Sequence, residues 1–91
     1  MTDRLPPEEL LEYPCTYEYK AFGPAADEAF VDRVRQVVGG FVAVGGDSVR
    51  TRLSSGGRYQ CVSVLVRLES GRQLNDIYTA LRTVEGLCYL L

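Results

Sequence analysis

The chain has 91 residues, of which 46% are hydrophobic and 24% charged, which is typical of one globular domain and excludes a disordered chain. Its formal net charge of −2 argues against a general nucleic-acid binder, since such proteins are usually strongly basic. No apolar run approaches the ~18 residues that a membrane span needs, so we expect no contact with a membrane.

The chain begins with an acidic segment. Residues 1–12 predict an N-terminal arm with a short helical turn that starts at Pro7 and is stopped by Pro14. Residues 13–91 are then the domain itself. Its first element is a strand over Cys15 to Phe22, because Tyr17, Tyr19 and Ala21 alternate there with polar side chains.

A helix is predicted next, over Asp27 to Val38, where the apolar residues have helical spacing and Gly39 and Gly40 follow as a stop. The apolar segment Phe41 to Gly46 contains two glycines but lacks the Gly-Lys-Ser/Thr ending of a phosphate-binding loop. We interpret it as a connector.

Two alternating runs, Ser48 to Leu53 and Arg58 to Glu69, flank a short turn rich in serine and glycine and predict an antiparallel hairpin. Ser70 is a good N-cap for a second helix that should reach about Val84. Leu87 to Leu91 predicts a closing strand.

The predicted order is therefore strand, helix, strand, strand, helix, strand. Alternating strands favour an antiparallel sheet with one buried face. Right-handed crossovers then give an α+β, ferredoxin-like βαββαβ sandwich, with both helices on one face and the first and third strands in the centre. The other face stays open, and we expect it to carry Glu18, Lys20, Arg50, Arg52, Tyr59, Cys61, Ser63, Leu65, Arg67 and Cys88.

Several short motifs follow one another along the chain, each occurring once. They are Leu10-Leu11-Glu12-Tyr13-Pro14, Tyr19-Lys20, Gly23, the valine-rich helix, Ser54-Ser55-x-Gly57-x-Tyr59, Val62-Ser63-Val64 and Tyr78-x-x-Leu81. In this order and spacing, from about residue 10 to Leu91, the chain resembles the YbeD-like family of small uncharacterised bacterial proteins. It differs from many relatives at Tyr17 and Glu18, where these have Phe-Pro, and in its apolar loop at 41–44.

The resemblance implies a cytosolic protein with a ferredoxin-like fold similar to the regulatory ACT domain of amino-acid-metabolism enzymes. Members of the family are sometimes called "lipoate regulatory protein", because their gene often lies beside lipoate-attachment genes. No established activity comes with the family.

The basic hairpin is the leading candidate site. Between Ser48 and Leu68 the sequence has four arginines and no acid, and Arg50 and Arg52 project from one side of a strand. Guanidinium groups suit carboxylates or phosphates. We predict a protein-binding surface formed by Lys20, Arg50, Arg52, Tyr59 and Arg67, although the same charges would also suit a solvated strand face.

Two other functions remain open. ACT domains tend to bind small effectors where the first strand meets the first helix, which gives a ligand site for a carboxylate at Gly23, Pro24 and Ala25. An RNA-binding platform needs two outward rings, and the sequence offers only Tyr59, with Cys61 at the second position, so RNA binding ranks last of the three functions and nucleic acid is not the expected partner.

Catalysis is not expected. The sequence contains no histidine, so a cysteine nucleophile has no such base, and the three widely spaced cysteines favour neither a disulfide framework nor a metal site. We predict a non-catalytic, cytoplasmic regulatory or adaptor protein without a cofactor. Its partner is a protein that the sequence does not name, and the open sheet face leaves room for a homodimer.

Overall fold

A computed structural model describes residues 11–91, which fold into a four-stranded antiparallel sheet with two helices. In chain order the elements are β1 (Cys15–Pro24), α1 (Phe30–Gly39), β2 (Val49–Leu53), β3 (Tyr59–Leu68), α2 (Gly71–Leu81) and β4 (Tyr89–Leu90). A 3-10 turn at Gly46–Ser48 precedes β2. The helical turn predicted in the N-terminal arm, together with residues 1–10, lies outside the described residues.

The strand order is β2-β3-β1-β4, with every neighbouring pair antiparallel. The two central strands pair along their whole length, from Cys15 opposite Leu68 to Pro24 opposite Tyr59. This order confirms the predicted ferredoxin-like sandwich with the first and third strands in the centre.

The hydrophobic core lies between one face of the sheet and the two helices, because alternate side chains of β1 and β3 point to that side. Each helix contributes three buried side chains spaced three or four residues apart, as one apolar stripe requires. The buried residues are Tyr19, Ala21, Phe30, Val34, Val38, Val62, Val64, Val66, Leu68, Leu74, Ile77, Leu81 and Val84.

The first helix begins at Phe30, three residues after the predicted start at Asp27. The intervening residues form a turn held by the Gln60 side chain, which donates to the carbonyl oxygens of both Pro24 and Asp27 at 2.8 Å. The Asp27 carboxylate accepts from Ala29 N–H at 3.3 Å and pairs with Arg33. These contacts commit Asp27 to the turn rather than to the helix.

The second helix has the predicted cap but ends early. Ser70 Oγ accepts from Gln73 N–H at 3.1 Å, as an N-cap does. The helix ends at Leu81 rather than near Val84. Beyond it, Thr83 N–H and Val84 N–H donate to the carbonyls three residues back, Ala80 O at 3.1 Å and Leu81 O at 3.0 Å, and the Thr83 hydroxyl shares Ala80 O at 2.7 Å.

The closing strand is shorter than predicted, with ladder pairs only at Tyr89 and Leu90. Backbone hydrogen bonds extend it at both ends. Cys88 N–H donates to Phe22 O at 2.7 Å, whereas Leu91 and Lys20 exchange two bonds, from Leu91 N–H to Lys20 O at 2.8 Å and from Lys20 N–H to Leu91 O at 3.2 Å. The predicted segment therefore lies along β1.

Candidate functional site

The sheet face opposite the helices, called the outer face below, is left uncovered by residues 11–91. The registers of the four strands set its side chains in rows. From β2 to β4, the first row is Arg52, Cys61, Phe22 and Tyr89, and the second row is Arg50, Ser63, Lys20 and Leu91. The outer face is therefore basic at its β2 edge and apolar at its β4 edge.

A shallow depression of about 240 Å³ occupies the basic side of the outer face. Its floor is formed by small side chains of β3, Cys61 and Ser63, whereas longer side chains rise from the strands on either side. The lining of this basic depression is Glu18, Lys20, Arg50, Thr51, Arg52, Cys61 and Ser63. Short side chains on a central strand, flanked by long side chains on the neighbouring strands, make this face of the sheet locally concave.

The two arginines of the depression have no acidic partner among the described residues. Glu18 supplies the one carboxylate of the lining, and this carboxylate lies 3.9 Å from Lys20 Nζ, at the limit of a salt bridge. Within residues 11–91 no carboxylate lies within 4.0 Å of Arg50 or Arg52. Two guanidinium groups therefore remain available to an anionic group from outside.

The structure brings three of the five predicted protein-binding residues together, namely Lys20, Arg50 and Arg52. Tyr59 lies at the same end of β3 but in a second, more apolar depression. That second depression is lined by Phe22, Ser54, Tyr59, Cys88 and Tyr89. Arg67 lies towards the other end of β3, where it faces Thr16 and pairs with Glu69 at 3.7 Å.

The outer face also contains two aromatic side chains that the sequence analysis missed. The rings of Phe22 and Tyr89 lie 5.9 Å apart, and Tyr89 is 60% exposed. The prediction that Tyr59 is the only outward ring is therefore wrong, and continuing the alternation of β1 two residues beyond Lys20 would have placed Phe22 on this face. Tyr89 lies in a run of apolar residues without alternation, so only the register with β1 could place it.

The predicted effector site lies at the end of β1 and in the following turn. Its backbone groups are already hydrogen-bonded: Ala25 N–H donates to Arg58 O at 3.0 Å, and Pro24 O accepts from Gln60 and from Asp27 N–H. Gly23 is packed against the Phe30 ring. A carboxylate ligand would have to replace these contacts, and the site stays a prediction.

Groups that could bind a metal are not clustered in the part of the chain described here, where no three His, Cys, Asp or Glu side chains come together. Cys15 and Cys61 are half-buried and Cys88 is exposed, and all three are free thiols. None of the helices in residues 11–91 is long and apolar enough to cross a membrane.

Comparison with solved structures defines the class of fold. The chain is similar to the solution structure of protein HP0495 from H. pylori, with a TM-score of 0.71 at 12% identity, covering 99% of this chain and 98% of that one. It is also similar to the ACT domain of a GTP pyrophosphokinase from Chlorobium tepidum, with a TM-score of 0.59 at 12% identity, covering 84% of this chain and 94% of that one. The fold is thus ferredoxin-like and similar to that of ACT domains.

Sequence comparison defines the family. Residues 8–91 match the family described as "Protein of unknown function (DUF493)". A UPF0250 protein of Shewanella sediminis is 37% identical over 81 residues, covering 88% of this chain and 89% of that protein. A UPF0250 protein of Paraburkholderia phytofirmans is 43% identical over 75 residues, covering 81% and 83% respectively. The chain belongs to this bacterial family, which confirms the YbeD-like resemblance.

Proposed function

We propose that the protein is a non-catalytic cytoplasmic regulatory or adaptor module that binds a protein partner through the outer face of its sheet. The single observation that carries this proposal is the arrangement of that face. It is uncovered by residues 11–91, and it places the arginines of the basic depression beside an apolar zone around Phe22 and Tyr89.

The exposures of the outer face support contact with a protein. Leu65 is 46% exposed, Tyr59 42% and Tyr89 60%, so apolar and aromatic surface is available on the same face as the cations. Protein interfaces are enriched in aromatic residues and arginine, and these residues supply most of the binding energy. Similarity to an ACT domain agrees with a regulatory role.

Affinity capture from cells that express the protein tests the proposal. We expect Arg50→Glu combined with Arg52→Glu to lower the recovery of the partner at least tenfold, because the substitutions reverse both charges in the depression. Both side chains are exposed, so the variant should unfold at the same denaturant concentration as the wild type.

The matched control is Arg35→Glu combined with Arg72→Glu. It changes the net charge by the same amount, but it alters exposed positions on the two helices, on the opposite side of the sheet. The control should recover the partner as the wild type does. Equal recovery by all three proteins would remove the basic depression from the binding surface.

A further inference from the structure

The edge of the sheet next to the basic depression is unpaired. β2 is the terminal strand of the sheet, and within residues 11–91 nothing pairs with its second side. Four of its five residues are exposed. The opposite edge, β4, has only two ladder residues, so β2 offers the longer template for another strand.

The hydrogen bond after β2 shows which backbone groups are free. Ser54 N–H donates to Tyr59 O at 2.8 Å, so the backbone N–H and C=O groups of Ser54 point towards β3. In an antiparallel ladder, alternate residues direct both their N–H and C=O groups to the same neighbour. The backbone N–H and C=O groups of Arg50 and Arg52 therefore point to β3, as those of Ser54 do. The backbone groups of Thr51 and Leu53 point to the open edge.

The side chains of β2 specify what such a strand would carry. Arg50 and Arg52 are two residues apart on the outer face, or about 7 Å along the strand. Two carboxylates at alternate positions of an added strand would have the same spacing and lie opposite them. On the other face, Leu53 is 62% exposed and suits an apolar neighbour.

We propose that the β2 edge binds an extended acidic segment of a protein partner, which adds to the sheet as a fifth strand with carboxylates at alternate positions. This inference rests on the proposed function and names the chemistry of the partner. The strand would supply backbone hydrogen bonds to Thr51 and Leu53, and carboxylates to Arg50 and Arg52.

Charge argues against a second copy of the chain at this edge. If two β2 strands paired about a two-fold axis at Thr51, each Arg50 would lie opposite Arg52 of the other copy. Like charges directly opposite each other destabilise a strand pair. The protein as a whole is acidic, with a net charge of −2, so attraction of an acidic segment has to come from this local basic edge.

A labelled peptide tests the inference on the full chain by fluorescence anisotropy. The probe contains Val-Glu-Thr-Glu-Leu between neutral flanks, and its control contains the same residues with the two glutamates adjacent. We expect the alternating peptide to bind at least tenfold more tightly, because adjacent glutamates point to opposite faces of a strand.

Methylation of single backbone nitrogens in the peptide separates strand addition from simple charge attraction. N-methyl groups at one alternate set of residues should weaken binding about tenfold, because they remove hydrogen bonds to β2. At the intervening residues, whose amides face away, methylation should change binding less than twofold. The set that is sensitive reports whether the added strand is parallel or antiparallel.

Two protein variants complete the test. Thr51→Pro removes an N–H that points to the open edge and leaves the hydrogen bonds to β3, so it should abolish peptide binding while the circular dichroism spectrum stays native. Arg50→Glu with Arg52→Glu should also abolish it. Arg35→Glu with Arg72→Glu, at exposed positions of the two helices, is the matched control and should bind as the wild type does.

Any one of three results with the peptides would overturn the inference: no binding by the alternating peptide, equal binding by both peptides, or binding that N-methylation does not affect. Tighter, arginine-dependent binding of single-stranded RNA than of the peptide would overturn it as well. Capture of the cellular partner decides the proposed function separately. Capture that depends on Arg50 and Arg52 without peptide binding would retain the proposed function and reject the acidic strand.

Discussion

Three tyrosines form an aromatic cluster between β1 and α2. The ring of Tyr19 lies 5.0 Å from that of Tyr17 and 4.8 Å from that of Tyr78, both edge to face. Tyr19 is fully buried and donates its hydroxyl to Leu74 O at 3.0 Å, whereas the hydroxyls of Tyr17 and Tyr78 lie 2.6 Å apart. Burial raises the pKa values of Tyr19 and Tyr78 well above their usual range.

These raised pKa values predict a loss of stability in alkaline solution. Below pH ~10 the tyrosines are neutral in both the folded and the unfolded chain, and the stabilisation is complete. Above that pH the unfolded chain releases protons that the folded chain retains. Ionisation of Tyr19 in the unfolded chain should then lower the free energy of unfolding by about 1.4 kcal/mol for each further pH unit.

Urea denaturation at several pH values between 8 and 11 measures this slope. Tyr19→Phe should cost about 1 kcal/mol at pH 8, where it removes one buried hydrogen bond, and it should show a shallower loss above pH 10. Each protein is compared with its own stability at pH 8. Parallel curves for the variant and the wild type would contradict the role of Tyr19.

At the scale of elements, β1 packs directly against the start of α1 at Gly23. A Cβ atom at this position would lie 2.8 Å from three carbon atoms of the Phe30 ring, closer than real Cβ contacts. Because Phe30 is fully buried, its ring has no free space into which to move. The glycine therefore permits the strand to pass directly over the first turn of the helix.

We expect Gly23→Ala to lower the free energy of unfolding by about 1–3 kcal/mol, the usual cost of overpacking a core. Gly39→Ala is the matched control, because its Cβ would meet nothing within 4 Å and its backbone is helical. The control should be as stable as the wild type or slightly more stable. Equal denaturation midpoints for Gly23→Ala and the wild type would show that the core accepts the extra carbon.

The kinds of elements could be predicted from the sequence, but several of their ends could not. Alternation and helical spacing are local patterns, and they predicted the first three strands and both helices, while the apolar run after Gly86 predicted the closing strand. The start of α1 depends on Gln60, which lies far away in the sequence and holds the preceding turn. At the end of α2, the backbone bonds of Thr83 and Val84 tighten to the carbonyls three residues back, a change that apolar spacing does not report.

At the scale of the whole molecule, the order of the strands decides which charges are close together. Lys20 and Arg50 are 30 residues apart in the sequence, but both flank Ser63 on the outer face. The predicted topology brought them to one face, and the observed register confirmed this. Arg67 lies on the same face, but the register moves it two rows away from Lys20.

The charge argument at the β2 edge gives a prediction about pairs of molecules. Arg50→Glu with Arg52→Glu turns β2 into an acidic strand with carboxylates at alternate positions and Leu53 beside them. An equimolar mixture of this variant and the wild type should associate, because opposite charges would then face each other across the two edges. Each protein alone repels itself at this edge.

Sedimentation equilibrium should give a higher mean mass for the mixture than for either protein alone at the same total concentration. Added salt should reduce the association, since both edges are exposed to solvent. Introducing Thr51→Pro into either protein should abolish it. A mixture whose mass is the average of its two components would mean that complementary charge does not drive pairing at β2.

The alternation along the central strands divides the work of the protein between two sets of residues. The side chains turned inwards, such as Val62 and Val64, form the hydrophobic core, whereas their immediate neighbours Cys61 and Ser63 line the depression on the outer face. A substitution in the second set leaves the packing of the first intact. Selection can therefore alter the outer face of the sheet one residue at a time, without rebuilding the interior.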